Sequence, residues 1–181
     1  MLTSLLALAF ALVPDPTRLF ADLDGDGVRE VIEAFVGVDG DKVFLQRGER
    51  GAIDARTSPV YPAWKALAGR LEGEIVDLVV LGAWTTKRVR RGEPPRRTIW
   101  VVGYDRGRWF ARWRGSALAR PFDDYTLRDL DGDGDVELCV RECGGPRPGL
   151  TAYRWNGFGF TGIARVAAPC DAPWERLEGE R

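Results

Sequence analysis

Short runs of apolar residues, separated by Gly, Pro and Asp, recur along the whole chain. Residues 28–36 are apolar on both faces, as strands covered on both sides by other layers are, and residues 77–84 are predicted to form a buried strand. Residues 98–104 are predicted to pair with the second of these strands or its neighbour. Residues 17–21 and 122–127 form shorter predicted strands, each leading into an acidic loop. The pattern predicts an all-β fold.

Three further segments have the form of a hairpin, with a Gly-containing turn between two β-rich runs. Residues 101–113 turn at Arg106 and Gly107, and residues 151–163 turn at Asn156 and Gly157. Asp39 and Gly40 supply the first turn of this kind. Aligning the three glycines predicts a repeated order of loop, buried strand, variable insert and hairpin. Residues 63–69, which follow Pro62, are predicted to form a short helix or turn.

Two acidic loops stand out from this β-rich background: DLDGDGVREV at residues 22–31 and DLDGDGDVEL at residues 129–138. Both have carboxylates at places one, three and five, Gly at four and six, an acid at nine and an aliphatic residue at ten. Calcium takes six to eight oxygen ligands at roughly 2.3–2.6 Å, and alternate acids in a Gly-bent turn can converge on one ion. The predicted Ca²⁺ ligands are Asp22, Asp24, Asp26, the Val28 carbonyl and Glu30 in one loop, and Asp129, Asp131, Asp133, the Asp135 carbonyl and Glu137 in the other. Asp/Gly turns that hold no ion are the alternative.

The residues after each loop separate two kinds of calcium protein. An EF-hand has a bidentate Glu at place twelve and helices on both sides, but place twelve of the later loop is Val140. Both loops instead have an acid at place nine followed directly by a β-rich run. This arrangement resembles the FG-GAP or VCBS repeat, the calcium-loop blade unit of integrin-type β-propellers, over about residues 18–163. The resemblance implies that each loop joins two strands. An EF-hand or dockerin-like calcium protein remains the alternative.

A degenerate third copy of the loop lies between the two good ones. Residues 71–78, LEGEIVDL, align with the loop if one residue is lost after Glu74, which puts Asp77 at place nine and Leu78 at place ten. Arg70 then takes place one, so this blade is predicted to hold no metal. The loops start at residue 22, about 70 and 129, a spacing that suits four-stranded blades. Closed propellers have four to eight blades, so about three repeats predict an open or incomplete propeller-like fold. A fourth blade recruited from the terminal segments, or closure by self-association, is the alternative.

The chain is predicted to contain one β domain, residues 17–181, with repeats at about 17–60, 63–115 and 120–165. Residues 1–13 are a predicted signal peptide, because the apolar run at 2–13 is too short for the 20 or so residues of a membrane span and ends at a Pro-Asp-Pro breaker. A retained, buried segment is the alternative. Cleavage would make the protein secreted or periplasmic.

Three cysteines fit an exported protein with at most one disulfide. If residues 138–143 form a strand, Cys139 and Cys143 lie roughly 13 Å apart, too far for a bridge. Any disulfide therefore involves Cys170, and Cys143 is the predicted partner. Three free thiols are the alternative.

Charge and composition restrict the possible functions. The net charge is -1, which argues against general nucleic-acid binding. The chain has no His, the commonest general base and zinc ligand, and it shows no catalytic triad or phosphate-binding Gly loop. Residues 86–97 carry six cations, which predicts a solvated hairpin tip or, alternatively, a site for polyanions such as acidic glycans or phosphates. Aromatic residues in the hairpins are expected mainly to pack between blades, and a sugar-stacking face is the alternative.

Together these features predict an exported calcium-binding β-repeat module that acts in binding or structural interaction. Its partner is an unknown protein or glycan, with no nucleic acid, no stable membrane span and possible self-association. No enzymatic activity is predicted. The alternative from another class is a hydrolase that uses the acidic rim.

Overall fold

A computed structural model of the chain describes residues 17–36, 43–49, 52–53, 60–61, 63–84, 96–115 and 118–178. The predicted signal peptide at 1–13, the turn at Asp39 and Gly40, and residues 86–95 of the basic segment lie outside these ranges. Within them the fold is all-β, as predicted. The one helix among these residues is a four-residue 3₁₀ turn (Trp174–Leu177), and no helix there is long and apolar enough to cross a membrane.

The strands form three antiparallel sheets, each built from consecutive strands of the chain, and none is closed into a barrel. The first sheet contains β1 (Thr17–Ala21), β2 (Glu30–Val36), β3 (Val43–Glu49), β4 (Ala52–Ile53) and β5 (Val60–Tyr61), with both β4 and β5 paired to β3. The second contains β6 (Ala63–Gly69), β7 (Leu78–Trp84), β8 (Arg97–Asp105) and β9 (Arg108–Trp113). The third contains β10 (Asp124–Arg128), β11 (Glu137–Glu142), β12 (Gly149–Trp155) and β13 (Phe160–Ala167). The predicted fold, about three blade-like repeats without closure, is confirmed.

The sheets stack face to face, with the second sheet in the middle. One apolar cluster joins the first and second sheets and includes Leu19, Ile32 and Leu81. Another joins the second and third sheets and includes Val80 and Leu138. Consecutive residues of β7 therefore face opposite clusters, which explains why this strand is buried on both faces. The prediction that residues 77–84 form a buried strand is confirmed.

The outer face of the third sheet is covered by the C-terminal segment. Cys143 and Cys170 are joined by a disulfide with a Cα–Cα distance of 5.6 Å, so the predicted pairing is confirmed, and Cys139 is a buried free thiol. Arg141 donates to the Ala172 carbonyl at 2.9 Å. Apolar side chains of the segment, including Ala172, pack on β11 and β12.

Two predictions about local structure were wrong. Residues 63–69 form strand β6 and not a helix or turn, because their backbone pairs with β7 along its whole length apart from one bulge. Gly40 falls in the sequence between β2 and β3, the second and third strands of the first sheet, whereas Gly107 and Gly157 turn between the third and fourth strands of theirs. The three glycines are therefore not equivalent.

Candidate metal centres

The three loops occupy equivalent positions, each joining the first two strands of its sheet. Eight residues separate the strands in every case: 22–29, 70–77 and 129–136. The strand pairs that close these loops are Ala21 with Glu30, Gly69 with Leu78, and Arg128 with Glu137. The degenerate loop has thus lost no residue, which corrects the predicted alignment: Leu78, and not Asp77, occupies place nine.

The first loop is folded around the carboxylate of Asp22. Its Oδ1 accepts a hydrogen bond from the Gly25 amide at 2.8 Å, and its Oδ2 accepts one from the Gly27 amide at 2.9 Å. Gly25 and Gly27 have φ values of 79° and 83°, which L-residues with a side chain rarely adopt. Glu30 Oε2 accepts a hydrogen bond from the Leu23 amide at 2.8 Å and closes the turn.

The second good loop repeats these contacts. Asp129 accepts hydrogen bonds from the amides of Gly132 at 2.6 Å and Gly134 at 3.0 Å, and these glycines have φ values of 76° and 90°. Glu137 Oε2 accepts a hydrogen bond from the Leu130 amide at 2.9 Å. The Asp and Gly places of the motif therefore have a local structural role in both copies.

Each loop brings three predicted ligands together. Their carboxylate oxygens lie within 4.8 Å of one another in two groups: Asp22, Asp24 and Glu30, and Asp129, Asp131 and Glu137. Two oxygens bound to one calcium ion at 2.3–2.6 Å can be separated by at most about 5 Å. The donor type and spacing of both groups therefore fit this ion.

The other predicted ligands lie outside these two groups. Asp26 Oδ1 accepts a hydrogen bond from the Val28 amide at 2.7 Å, and Asp133 Oδ1 accepts one from the Asp135 amide at 2.8 Å. Each bond spans two residues, which is the local pattern that makes Asp favourable in turns. The roles of Asp26, Asp133 and the carbonyls of Val28 and Asp135 as ligands stay predictions.

Glu137 is the most buried member of the second group, with 3% of its side chain exposed. Burial raises the pKa of its carboxyl group above the ordinary value, and the charge of Asp131 raises it further. The Leu130 amide and the Arg154 guanidinium act in the opposite direction. Keeping such a group ionised requires positive charge close by.

The degenerate loop makes ion pairs with neighbouring elements, whereas each of the other two loops gathers three carboxylates. Its places one and nine are Arg70 and Leu78, neither of which offers an oxygen ligand from its side chain. The Arg70 guanidinium instead donates to Asp135 Oδ1 at 2.5 Å, in the next loop. Glu74 Oε1 accepts hydrogen bonds from Arg112 at 3.0 Å and from the Trp155 indole at 2.9 Å. This loop therefore connects the second and third sheets through its side chains.

Neighbouring loops are also connected through their backbones. The Asp77 amide donates to the Asp22 carbonyl at 2.8 Å, and the Val136 amide donates to the Arg70 carbonyl at the same distance. In both pairs, the backbone amide at place eight of one loop donates to the backbone carbonyl at place one of the preceding loop. Asp77 Oδ2 additionally accepts a hydrogen bond from the Asp22 amide at 2.8 Å. These bonds tie each loop to the loop of the adjacent sheet.

A concavity of about 350 Å³ lies among the three loops. Its lining includes Phe20, with 57% of its surface exposed, and Ile75, with 88% exposed, together with Arg29 and Arg70. The charged groups of Arg70 and Asp77 in this lining are engaged with other loops. The concavity is thus partly apolar and partly occupied by the contacts that hold the loops together.

The sequence did not reveal the arginines that surround the second good loop. Arg70 was identified only as a residue that would spoil coordination, and Arg154 was not singled out. Both reach the loop from other elements, so no local spacing marks them. The aromatic prediction is largely confirmed: Trp100, Tyr153 and Trp155 are buried, whereas Phe110 and Phe158 are exposed.

No model of a known protein family matches this chain, and comparison with curated proteins finds no relative.

Proposed function

We propose that this protein is an exported, calcium-stabilised β-repeat module of the FG-GAP or VCBS type, acting in binding or structural interaction. The observation that carries the proposal is the equivalence of the two acidic loops. Each gathers three carboxylates within 4.8 Å at a turn between the first two strands of a sheet.

The chemistry of the gathered groups favours calcium over other biological metals. All the side-chain donors are carboxylate oxygens, which suit hard cations, whereas zinc sites usually contain His or Cys. Magnesium demands near-ideal octahedral geometry at 2.0–2.1 Å, while calcium accepts irregular sets of six to eight oxygens. A turn whose gathered side chains are all carboxylates therefore suits calcium best.

An ion at these sites would stabilise the fold and not only the loops. Three carboxylates held this close repel one another, and a bound divalent cation removes that repulsion. One ion that binds only the folded state adds about 2.7 kcal/mol at 100 times its dissociation constant. Because the loops are bonded to their neighbours through Asp77 and Val136, this stabilisation extends to the contacts between sheets.

The flanking secondary structure bears on the EF-hand alternative. Strands β1 and β2 flank the first loop, and β10 and β11 flank the other good loop, whereas an EF-hand places a helix on each side. The disulfide between Cys143 and Cys170 supports an oxidising compartment. The proposed partner is a protein or glycan, and exposed Phe158 and Phe110 are aromatic positions available for such contacts.

The proposal is tested by the melting temperature in EDTA and in calcium from micromolar to millimolar concentrations, with magnesium as the comparison ion. The wild type is expected to gain stability with calcium, and Asp24→Ala and Asp131→Ala should each lose part of the gain. Asp105→Ala, which removes an exposed acid at the end of β8, is the matched control and should keep the full gain.

A calcium-independent melting temperature would contradict the proposal. The hydrolase alternative is tested with the same proteins in a screen of glycosides and phosphoesters. Turnover that is lost in Asp131→Ala and retained in Asp105→Ala would favour an enzyme.

A further inference from the structure

Arg154 of β12 places its guanidinium group against the second good loop. Its Nη2 donates to Asp131 Oδ2 at 2.6 Å and to Glu137 Oε1 at 3.4 Å. Its Nε lies 2.9 Å from Glu72 Oε2 in the degenerate loop. One cation thus contacts two of the three carboxylates gathered in the predicted centre and a third acid from the neighbouring sheet.

The position of Arg154 follows from the register of the third sheet. Leu138 pairs with Tyr153, so the next residue on each strand, Glu137 and Arg154, lie at the same end of the sheet beside the loop. Of the Arg154 side chain, 38% is exposed, whereas Glu137 is almost fully buried. The arginine therefore supplies positive charge to a carboxylate that water scarcely reaches.

A divalent cation and this guanidinium would use the same oxygens. An ion at 2.3–2.6 Å from Asp131 and Glu137 would lie within a few ångströms of Nη2, and two positive groups at that separation repel strongly near a protein surface. The bonds from Arg154 to the two carboxylates would have to lengthen or break when the ion binds. Glu72 offers the displaced guanidinium an acidic partner outside the predicted centre.

We propose that Arg154 is a built-in competitor of the divalent cation at the second good loop and sets the affinity of that loop. In the metal-free protein it offsets part of the negative charge of the gathered carboxylates, through Asp131 and Glu137, and holds the loop in shape. The ion replaces it in that role at the expense of the arginine contacts. This inference rests on the proposed function, since it requires that the loop binds calcium.

The test uses calcium titration calorimetry on full-length protein carrying Asp24→Ala, which disables the first loop and leaves one site to measure. Adding Arg154→Gln removes the competing charge and is expected to raise calcium affinity at least about tenfold. Arg154→Lys keeps the charge and should stay within about threefold of the Asp24→Ala parent. Arg147→Gln makes the same charge change near the opposite end of β12 and is the matched control, with unchanged affinity expected.

A second readout separates competition from simple structural support. In EDTA, Arg154→Gln should melt at a lower temperature than its parent, because its carboxylates lack their counter-charge. In saturating calcium this gap should close. A purely structural role for Arg154 would leave the same gap under both conditions.

Unchanged or weaker calcium binding in Arg154→Gln would overturn the inference, whereas the proposed function would stand if the Asp24→Ala parent still binds the ion. If only the first loop binds calcium in the wild type, and Arg154→Gln creates no second site, the inference fails alone. If neither the wild type nor Arg154→Gln binds calcium, both fail.

Discussion

Replacing Tyr125 with Phe tests how the second and third sheets are joined. Tyr125 belongs to β10 and is fully buried against the second sheet. Strand β6 has a bulge at Trp64, where its register with β7 shifts. The Tyr125 hydroxyl reaches this irregularity, accepts a hydrogen bond from the Gly82 amide at 3.0 Å and is within donating distance of the Val80 carbonyl at 2.8 Å.

The expected loss of unfolding free energy follows from the buried backbone groups that no longer have the Tyr125 hydroxyl as a hydrogen-bond partner. A buried donor or acceptor without its hydrogen-bond partner costs about 1–3 kcal/mol. The Gly82 amide and the Val80 carbonyl both lose the hydroxyl, while the ring and its apolar contacts remain. Tyr125→Phe should therefore lower the free energy of unfolding by about 2–3 kcal/mol, measured by urea denaturation with an unchanged m-value.

The pH dependence supplies an independent check on the same residue. Burial raises the pKa of the Tyr125 hydroxyl in the folded protein, whereas an unfolded tyrosine has a pKa of about 10. Above pH 10 the unfolded state releases this proton and the folded state keeps it, so stability falls by up to about 1.4 kcal/mol per pH unit. Tyr125→Phe should lack this contribution. A change in unfolding free energy below about 0.5 kcal/mol, with the alkaline slope unaltered, would refute the role assigned to the hydroxyl.

Three further predictions concern the tail, the loops and the free thiol. Replacing Cys143 and Cys170 by Ser removes a disulfide that spans a sequence separation of 27. The free energy of unfolding, measured by urea denaturation, should fall by about 3–4 kcal/mol. An unchanged value would show that the noncovalent contacts of the C-terminal segment are enough to hold it on the third sheet. Gly132→Ala forces a side chain into a backbone with φ 76° and should lower the free energy of unfolding by about 1–2 kcal/mol. Gly145→Ala, at an open position without positive φ, should lower it far less. Equal losses in the two variants would contradict the strain argument. Burial raises the pKa of Cys139 to about 12, so at pH 8 it should resist alkylation in the native protein and react in urea, as followed by mass spectrometry.

Much of the fold was predictable because its signals are local. Both acidic loops have a motif in which Asp and Gly have roles inside the turn, and a β-rich run follows each of them directly. The hairpins at Gly107 and Gly157 have turn residues suited to their positions, and Gly107 has a φ of 82°. These features depend on neighbouring residues, which the sequence lists side by side.

The errors arose where distant contacts decide the structure. Residues 63–69 contain three Ala, one Leu and one Lys, which favour helices, but pairing with β7 overrides that preference. Asp77 resembled the acid at place nine, whereas the pairing of Gly69 with Leu78 puts it at place eight, where its amide binds the Asp22 carbonyl. Arg154 approaches its loop from another strand, and only the folded sheet brings the two together.

Calcium titration calorimetry on the metal-stripped wild-type protein and on the Asp24→Ala/Asp131→Ala double variant tests the central claim most directly. Two ions should bind each wild-type chain, one for each loop that gathers three carboxylates, and the double variant should give no binding heat. A wild type that gives no heat, or a double variant that binds calcium as the wild type does, would contradict the assignment of these loops as metal centres.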